Sequence, residues 1–376
     1  SVQRLHRRLR MPAASLTIDL PLSECEPPPI PRAAMRGRRR HRPATLTAGM
    51  KIGVWRVERE LGRGGMATVY AVVHTKFGKR AALKLAHREM IGPKFTPETF
   101  LREARTANLV DHAGVADVFQ TGTFDGRPYI VMERLSGRSL GARLDEGALP
   151  RDQALEILIE LCDVLEAAHT AGVTHRDLKL DNVYLLDRIG AGGHRTKLLD
   201  WGMARIAGEE DPLRGLIAGT LTYIAPEQAR GDDITPAADV YSLAVMAYQL
   251  LLGEPPFASP DDVALIHKHL RDTPPRPSTR WAGIPADLEA TLLAMLAKQP
   301  ADRPQLPAIA AALRAARETL RSERPSVLRL LELPAIAATD VIGRPLTLRA
   351  SRRQRMFSAA LGVALTVASV AQLFIA

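Results

Sequence analysis

Apolar residues recur along this chain with two different periods. Between residues 54 and 135 they come in short runs: Trp55–Leu61, Thr68–His74, Arg80–Ala86, Asp117–Thr121 and Tyr129–Glu133. Runs this short, bounded by Gly78 or the Asp125–Gly126 pair, predict strands joined by hairpins. One segment, Pro97–Val110, interrupts them with helical spacing. Beyond residue 150 the spacing becomes that of helices, in Leu155, Leu158, Leu161 and Leu165 and again in Leu243–Leu252. Strands first and helices afterwards predict an α+β protein of two lobes, 54–135 and 136–317.

The two ends follow neither period. Residues 1–50 carry Pro27, Pro28, Pro29 and Pro31 and the Arg36–Arg42 cluster, which predicts a flexible tail. Its apolar stretches are too short and broken for a signal peptide. At the other end, Met356–Ala376 holds no charged side chain. At ~1.5 Å per residue this stretch matches a hydrocarbon core of ~30 Å. Arg352, Arg353 and Arg355 stand just before it. The expectation is a single transmembrane helix at 356–376 with a juxtamembrane linker at 318–355. By the positive-inside rule, everything before the helix lies on the cytoplasmic face of the inner membrane. Ser358, Thr366, Ser369 and Gln372 dilute the signal and keep a buried or amphipathic C-terminal helix as the alternative.

Composition narrows the class. A chain of 376 residues, 46% hydrophobic and 24% charged, excludes a wholly disordered or collagen-like protein. Cys25 and Cys162 cannot build a disulfide framework, and no His/Cys cluster has zinc spacing, so a reducing compartment is expected. The net charge of +10 would suit nucleic acid or an acidic membrane. Its distribution decides between them. Residues 1–50 carry +7, residues 318–376 carry +4, and the body between them carries −1. No nucleic-acid partner is expected; the terminal arginines suit an anionic leaflet.

Candidate chemistry begins with Leu61-Gly62-Arg63-Gly64-Gly65-Met66-Ala67-Thr68-Val69, set between two predicted strands. Glycines let backbone N–H groups approach phosphate oxygens closely, though a plain Gly-rich hairpin reads the same way. Lys84 ends the next apolar strand and would need an anion; Glu103 on the Pro97–Val110 helix is a carboxylate that could orient it. Further on come His175-Arg176-Asp177-Leu178-Lys179-Leu180-Asp181-Asn182, then Asp200-Trp201-Gly202 and Ala225-Pro226-Glu227.

Taken together and in this order, these segments resemble the bacterial eukaryotic-type (Hanks-type) serine/threonine protein kinases over about residues 54–317. The resemblance implies a two-lobed protein-kinase fold, β-rich N-lobe and helical C-lobe, with ATP as phosphoryl donor and Mg2+ or Mn2+ as the metal. It implies that Asp177 accepts the proton of a Ser or Thr hydroxyl on a protein substrate and that Lys179 stabilises the transferring phosphoryl group. Asn182 and Asp200 would hold the metal, and Lys84, braced by Glu103, the α- and β-phosphates. Around the adenine it implies Met132 as gatekeeper, the backbone of Glu133 and Leu135, Val69 and Ala82 above the ring, and Tyr184 below it. Asp239 would support the catalytic loop, and Arg303 would pair with Glu227.

The chain departs from the family pattern in places. Trp201 replaces a phenylalanine, which is expected to bias the balance of active and inactive arrangements. Ala67 and Leu180 replace a glycine and a proline with little expected effect. Between Gly202 and Thr220 there is no Ser, Thr or Tyr. Glu209-Glu210-Asp211 is expected to substitute there for a phosphorylated partner of Arg176, the alternative being an exposed, solvated loop. Thr220 is expected to help hold the catalytic aspartate. A pseudokinase scaffold would lack one of Lys84, Asp177, Asn182 and Asp200, and all four are present. A small-molecule kinase would not need Ala225–Glu227.

Overall fold

Strand pairing in the first lobe is set by its hairpins. In the computed structural model, which describes residues 45–92, 96–190, 192–211, 213–215 and 219–323, six antiparallel strands form one sheet. They are β1 (Lys51–Ile52), β2 (Trp55–Arg63), β3 (Ala67–His74), β4 (Arg80–Ala86), β5 (Val118–Phe124) and β6 (Arg127–Glu133), ordered β1-β2-β3-β4-β6-β5. β5 and β6 reach further toward their turn than the apolar runs alone indicate. Asp125 and Gly126 both adopt positive φ, 50° and 70°, the conformation of a tight two-residue hairpin turn. Phe124 is therefore paired directly with Arg127. β2 likewise continues to Arg63, opposite Thr68, so the glycine segment is the tip of the β2–β3 hairpin.

Helix α1 (Pro97–Val110) begins with Thr96, whose hydroxyl accepts the Thr99 N–H, and with Pro97 in its first turn. Its buried face, including Phe100, Ala104 and Ala107, meets Ala67, Ala86 and Ile130 of the sheet or the top of the second lobe. The sheet's other face packs Tyr70, Val72, Leu83 and Val131 beneath Leu46 and Trp55. Leu46 is only 5% exposed, and its N–H donates to the Tyr70 hydroxyl at 3.3 Å. Composition groups residues 45–50 with the tail, yet they close this core: one leucine on an apolar face outweighs a polar neighbourhood. The remainder of the predicted tail, 1–44, lies outside the described residues.

The second lobe is built on α3 (Arg151–Thr170) and α5 (Ala237–Leu252), with α2 (Leu140–Asp145), α4 (Pro226–Arg230), α6 (Asp262–Arg271), α7 (Ala286–Met295) and α8 (Leu306–Glu323) around them. α5 is buried on nearly every side, which explains its continuous apolar run. Two small sheets, β7 (Gly137–Ser139) with β9 (Val183–Leu186) and β10 (Thr196–Leu198), and β8 (Val173–Thr174) with β11 (Arg205–Ile206), carry the loops between the lobes. α8 extends past residue 317. Among the described residues no helix is long and apolar enough to cross a membrane. The expected span at 356–376 lies outside them.

Two buried groups fasten the lower lobe. Arg303 donates to both carboxylate oxygens of Glu227, at 2.6 and 2.8 Å, and to two backbone carbonyls. His269 is fully buried, its Nδ1 3.0 Å from the Tyr241 hydroxyl. Burial, reinforced by the Lys298 charge, pushes its imidazole down to about 4. An unfolded histidine takes its proton near pH 6.5, the folded one only near 4, so in that window the unfolded chain binds more protons. Stability should therefore be full above pH 6.5 and fall by up to about 3 kcal/mol as the pH drops toward 4. Thermal unfolding followed across this range should show a steeper loss for the wild type than for His269→Gln.

Candidate active site

The loop after β8 carries the densest polar network. His175 and Arg176 direct their backbone N–H groups at one carboxylate, that of Asp239 on α5, at 2.8 and 2.9 Å. His169 Nε2 lies 2.8 Å from the same group. Burial alone would push the Asp239 carboxyl up; the His169 contact, His175 and the backbone donors hold it below its ordinary value. Arg176 is thereby kept at φ 71°, a left-handed conformation that costs a bulky residue about 1–3 kcal/mol. The strained turn presents Asp177 to the cleft between the lobes.

Asp177 is surrounded by donors. Its Oδ1 accepts the N–H and the hydroxyl of Thr220, both at 3.0 Å. Its Oδ2 accepts from Lys179 Nζ at 2.6 Å and from Asn182 Nδ2 at 3.3 Å. Lys179 also reaches the Thr220 hydroxyl at 3.2 Å. Gly219 makes this approach possible: it sits at φ 111°, and a Cβ there would lie 3.3 Å from the Arg176 carbonyl.

Across the cleft, Lys84 Nζ donates to both Glu103 oxygens at 2.7 and 2.6 Å and lies 3.8 Å from Asp200. Burial alone would push the Lys84 ammonium down; the Glu103 and Asp200 carboxylates overcome it and hold it above its ordinary value. A lysine so placed is a cation ready for a phosphate. The donors beside it suit a hard cation. Asn182 spends its amide N–H on the Asp177 carbonyl at 2.8 Å, which leaves its amide oxygen as a ligand, and the Asp200 carboxylate is 40% exposed. Among the described residues no cluster of three or more His, Cys, Asp or Glu could hold a metal by itself. Two oxygen ligands completed by phosphate oxygens and water match the habit of Mg2+.

The remaining nucleotide-site candidates lie on β2, β3 and the turn joining them, on β4, β6 and β9, and in the connection after β6. Gly62, Gly64 and Gly65 are exposed at the hairpin tip, with Leu61 and Met66 as exposed apolar side chains beside them. Arg63 turns back to Glu60 at 3.1 Å. Ala67 and Thr68 are buried, Val69 is half-buried, and Ala82 faces Met132 across the β4–β6 pair. Leu135 is half-buried in the connection that follows β6. Tyr184 donates its hydroxyl to the Gly137 carbonyl at 2.7 Å, so its ring is tied to the start of β7. The Glu133 carboxylate accepts from the buried Lys197 at 2.8 Å. Sequence reasoning missed Lys197. Its only signal was a lysine directly before the apolar pair Leu198–Leu199.

Trp201 is buried beneath α1, its ring centroid 4.7 Å from that of His175 and its indole N–H donating to the Leu198 carbonyl at 3.3 Å. The larger ring is accommodated with Lys84 and Glu103 still joined.

Two acids of the triplet are bound, while Glu210 is exposed. Asp211 receives both terminal nitrogens of Arg176, one at 2.8 Å. Those hydrogen bonds hold its carboxyl below the ordinary carboxylate value. Glu209 pairs with Arg105 and lies 3.7 Å from Arg102, both on α1. Sequence reasoning did not identify these two arginines. The segment is thus tied to the catalytic loop by one acid and to the upper lobe by another. Replacing Asp211 with Asn leaves the Arg176 guanidinium, 4% exposed, short of its counter-charge. The expected cost is about 1.5–3 kcal/mol, visible as a lower thermal midpoint, with Asp211→Glu closer to wild type.

Comparison with known proteins agrees with this geometry. The "Protein kinase domain" family matches residues 55–314. Serine/threonine-protein kinase Pkn1 of Myxococcus xanthus is 38% identical over 297 residues, 77% of this chain and 43% of that protein. Serine/threonine-protein kinase PknB of Mycobacterium leprae is 34% identical over 252 residues, 65% of this chain and 40% of that protein. The chain thus spans less than half the length of these relatives. The crystal structure of the Mycobacterium tuberculosis PknI kinase domain superposes with a TM-score of 0.56 at 30% identity, covering 72% of this chain and all of that one. With its match over residues 55–314 and a bacterial relative at 38% identity, the chain belongs to the protein kinase domain family, on its bacterial serine/threonine branch.

Proposed function

We propose that this chain transfers the γ-phosphoryl group of ATP to Ser and Thr hydroxyls of proteins. The observation that carries the proposal is Asp177: a carboxylate held by Thr220, Lys179 and Asn182 in the cleft that Lys84 and Asp200 face from the other side. In this reading Asp177 orients the incoming hydroxyl and finally takes its proton as the O–P bond forms and the β–γ bridge breaks. Lys179 supplies positive charge beside the transferring group, and Lys84, braced by Glu103, holds the α- and β-phosphates. Mg2+, with Mn2+ as a substitute, would neutralise phosphate charge when held by Asn182 and Asp200. The resemblance of Lys179 to the serine/threonine pattern favours those acceptors over tyrosine.

The reading extends to regulation. No hydroxyl lies between Gly202 and Thr220, and Arg176 already has a carboxylate partner in Asp211. The kinase therefore needs no phosphate on that stretch to be competent. Incubation of phosphatase-treated protein with labelled Mg2+-ATP tests both points. Wild type should label itself and a Ser/Thr substrate without a lag, and Asp177→Asn should lose at least about a hundredfold, the scale of general-base catalysis. Equal labelling of the two proteins sinks the catalytic assignment; activity only after prior phosphorylation sinks the second point.

For location, we propose a single-pass anchor at 356–376 in the inner membrane, with the kinase domain on the cytoplasmic side. Its support is the uncharged stretch and the preceding Arg352, Arg353 and Arg355. The full chain should stay in the membrane fraction after alkaline carbonate extraction, and a chain ending at Arg355 should not. Release of both would refute the anchor.

A further inference from the structure

The tip of the β2–β3 hairpin has little packing to give it a shape. A Cβ added at Gly62 or Gly65 would meet nothing within 4 Å, and the glycines lose more conformational freedom on ordering than any other residue. What shape there is comes from hydrogen bonds. Gly64 N–H donates to the Ala67 carbonyl at 2.9 Å and closes the turn. Gly65 and Met66, at the end of the turn, are tied to one residue, His87, the first beyond the end of β4. Its backbone N–H donates to the Met66 carbonyl at 2.8 Å. Its ring lies between Thr68 Oγ1, 2.8 Å from Nε2, and the Gly65 carbonyl, 3.1 Å from Nδ1.

The Gly65 carbonyl selects the tautomer. A carbonyl only accepts, so Nδ1 carries the proton; in the neutral ring Nε2 is then an acceptor and receives the hydrogen bond of the Thr68 hydroxyl. Thr68 is buried within β3, so its hydroxyl is a fixed post that sets the ring plane. The ring in turn fixes the Gly65 carbonyl. The Gly65–Met66 peptide is trans, so the Met66 N–H points opposite to that carbonyl, away from His87. One histidine thus decides which way a loop N–H faces.

We infer that His87 is a positioning residue for nucleotide binding: it acts through the Gly65–Met66 peptide, ordering the phosphate-covering loop before the nucleotide arrives. The inference rests on the kinase reading, because it needs a nucleotide under this loop. Preordering of this kind appears as affinity, since the loop entropy is no longer lost on binding.

The test is calorimetric titration of the full-length chain with Mg2+ and a non-hydrolysable ATP analogue. His87→Ala should weaken binding about three- to tenfold, the scale of one hydrogen bond. His87→Asn places an amide N–H where Nδ1 stood and should restore affinity to within about twofold of wild type on the same scale. His87→Gln reaches only the Nε2 position and should not. Thr68→Val, which frees the ring plane, should fall between wild type and His87→Ala. Unchanged affinity in His87→Ala overturns the inference alone, as does equal weakening in the Ala and Asn variants. No binding by the wild-type chain overturns the kinase reading, and this inference with it.

Discussion

One buried carboxylate holds the catalytic loop in a shape the loop would not adopt by itself. Asp239 is fully buried on α5, where an unpaired charge would be prohibitive. It is tolerable because three donors converge on it, and two of them are the N–H groups of His175 and Arg176. The exchange works in both directions. The loop supplies the donors that make the charge bearable, and the charge makes the left-handed Arg176 bearable. Removing either would leave the other expensive, so the arrangement is cooperative rather than a sum of separate contacts.

From that anchor three branches run outward. His175 Nε2 meets the Leu199 carbonyl at 3.1 Å, tying the loop to the residue before Asp200. The Arg176 carbonyl accepts from Gln228 on α4 at 2.9 Å, and its side chain takes Asp211. Asp177 and Asn182 complete the loop with their own bonds. Asp177, Asn182, Asp200 and the Arg176–Asp211 pair are therefore positioned from a single core helix. This helix is buried on nearly every side because it serves as the base of the lobe.

Much of this was legible from sequence because the catalytic residues are local. His175 to Asn182 lie within one loop, and their order carries their geometry. The longer strands of the first lobe were legible for the same reason, though the β2–β3 tip and the Asp125–Gly126 turn extended the pairing and the short strands were not. What stayed hidden were pairings between ordinary residues distant in the chain: Lys197 with Glu133, Arg105 with Glu209, His87 with Gly65. A lysine, an arginine or a histidine in such places reads as solvated or structural until the fold supplies its partner. Trp201 is a residue whose place the sequence did not show: it fills the space beneath α1, and its indole N–H has the Leu198 carbonyl to meet.

The two lobes are held by different physics. The lower one rests on a large, well-filled hydrophobic core with buried, bidentate Arg303–Glu227 at its edge. In the upper one, small residues such as Ala67, Ala86 and Ala104 make up much of the contact between sheet and α1. α1 meets the residues below through Ala107, Val110 and the buried Trp201 as well as through ion pairs: Glu103 through Lys84 to Asp200, and Arg102 and Arg105 to Glu209. Apolar packing is short-ranged and indifferent to salt, whereas partly exposed ion pairs act over several ångströms and are screened. Raised salt therefore weakens the exposed Arg105–Glu209 pair and leaves the apolar packing beneath α1 unchanged.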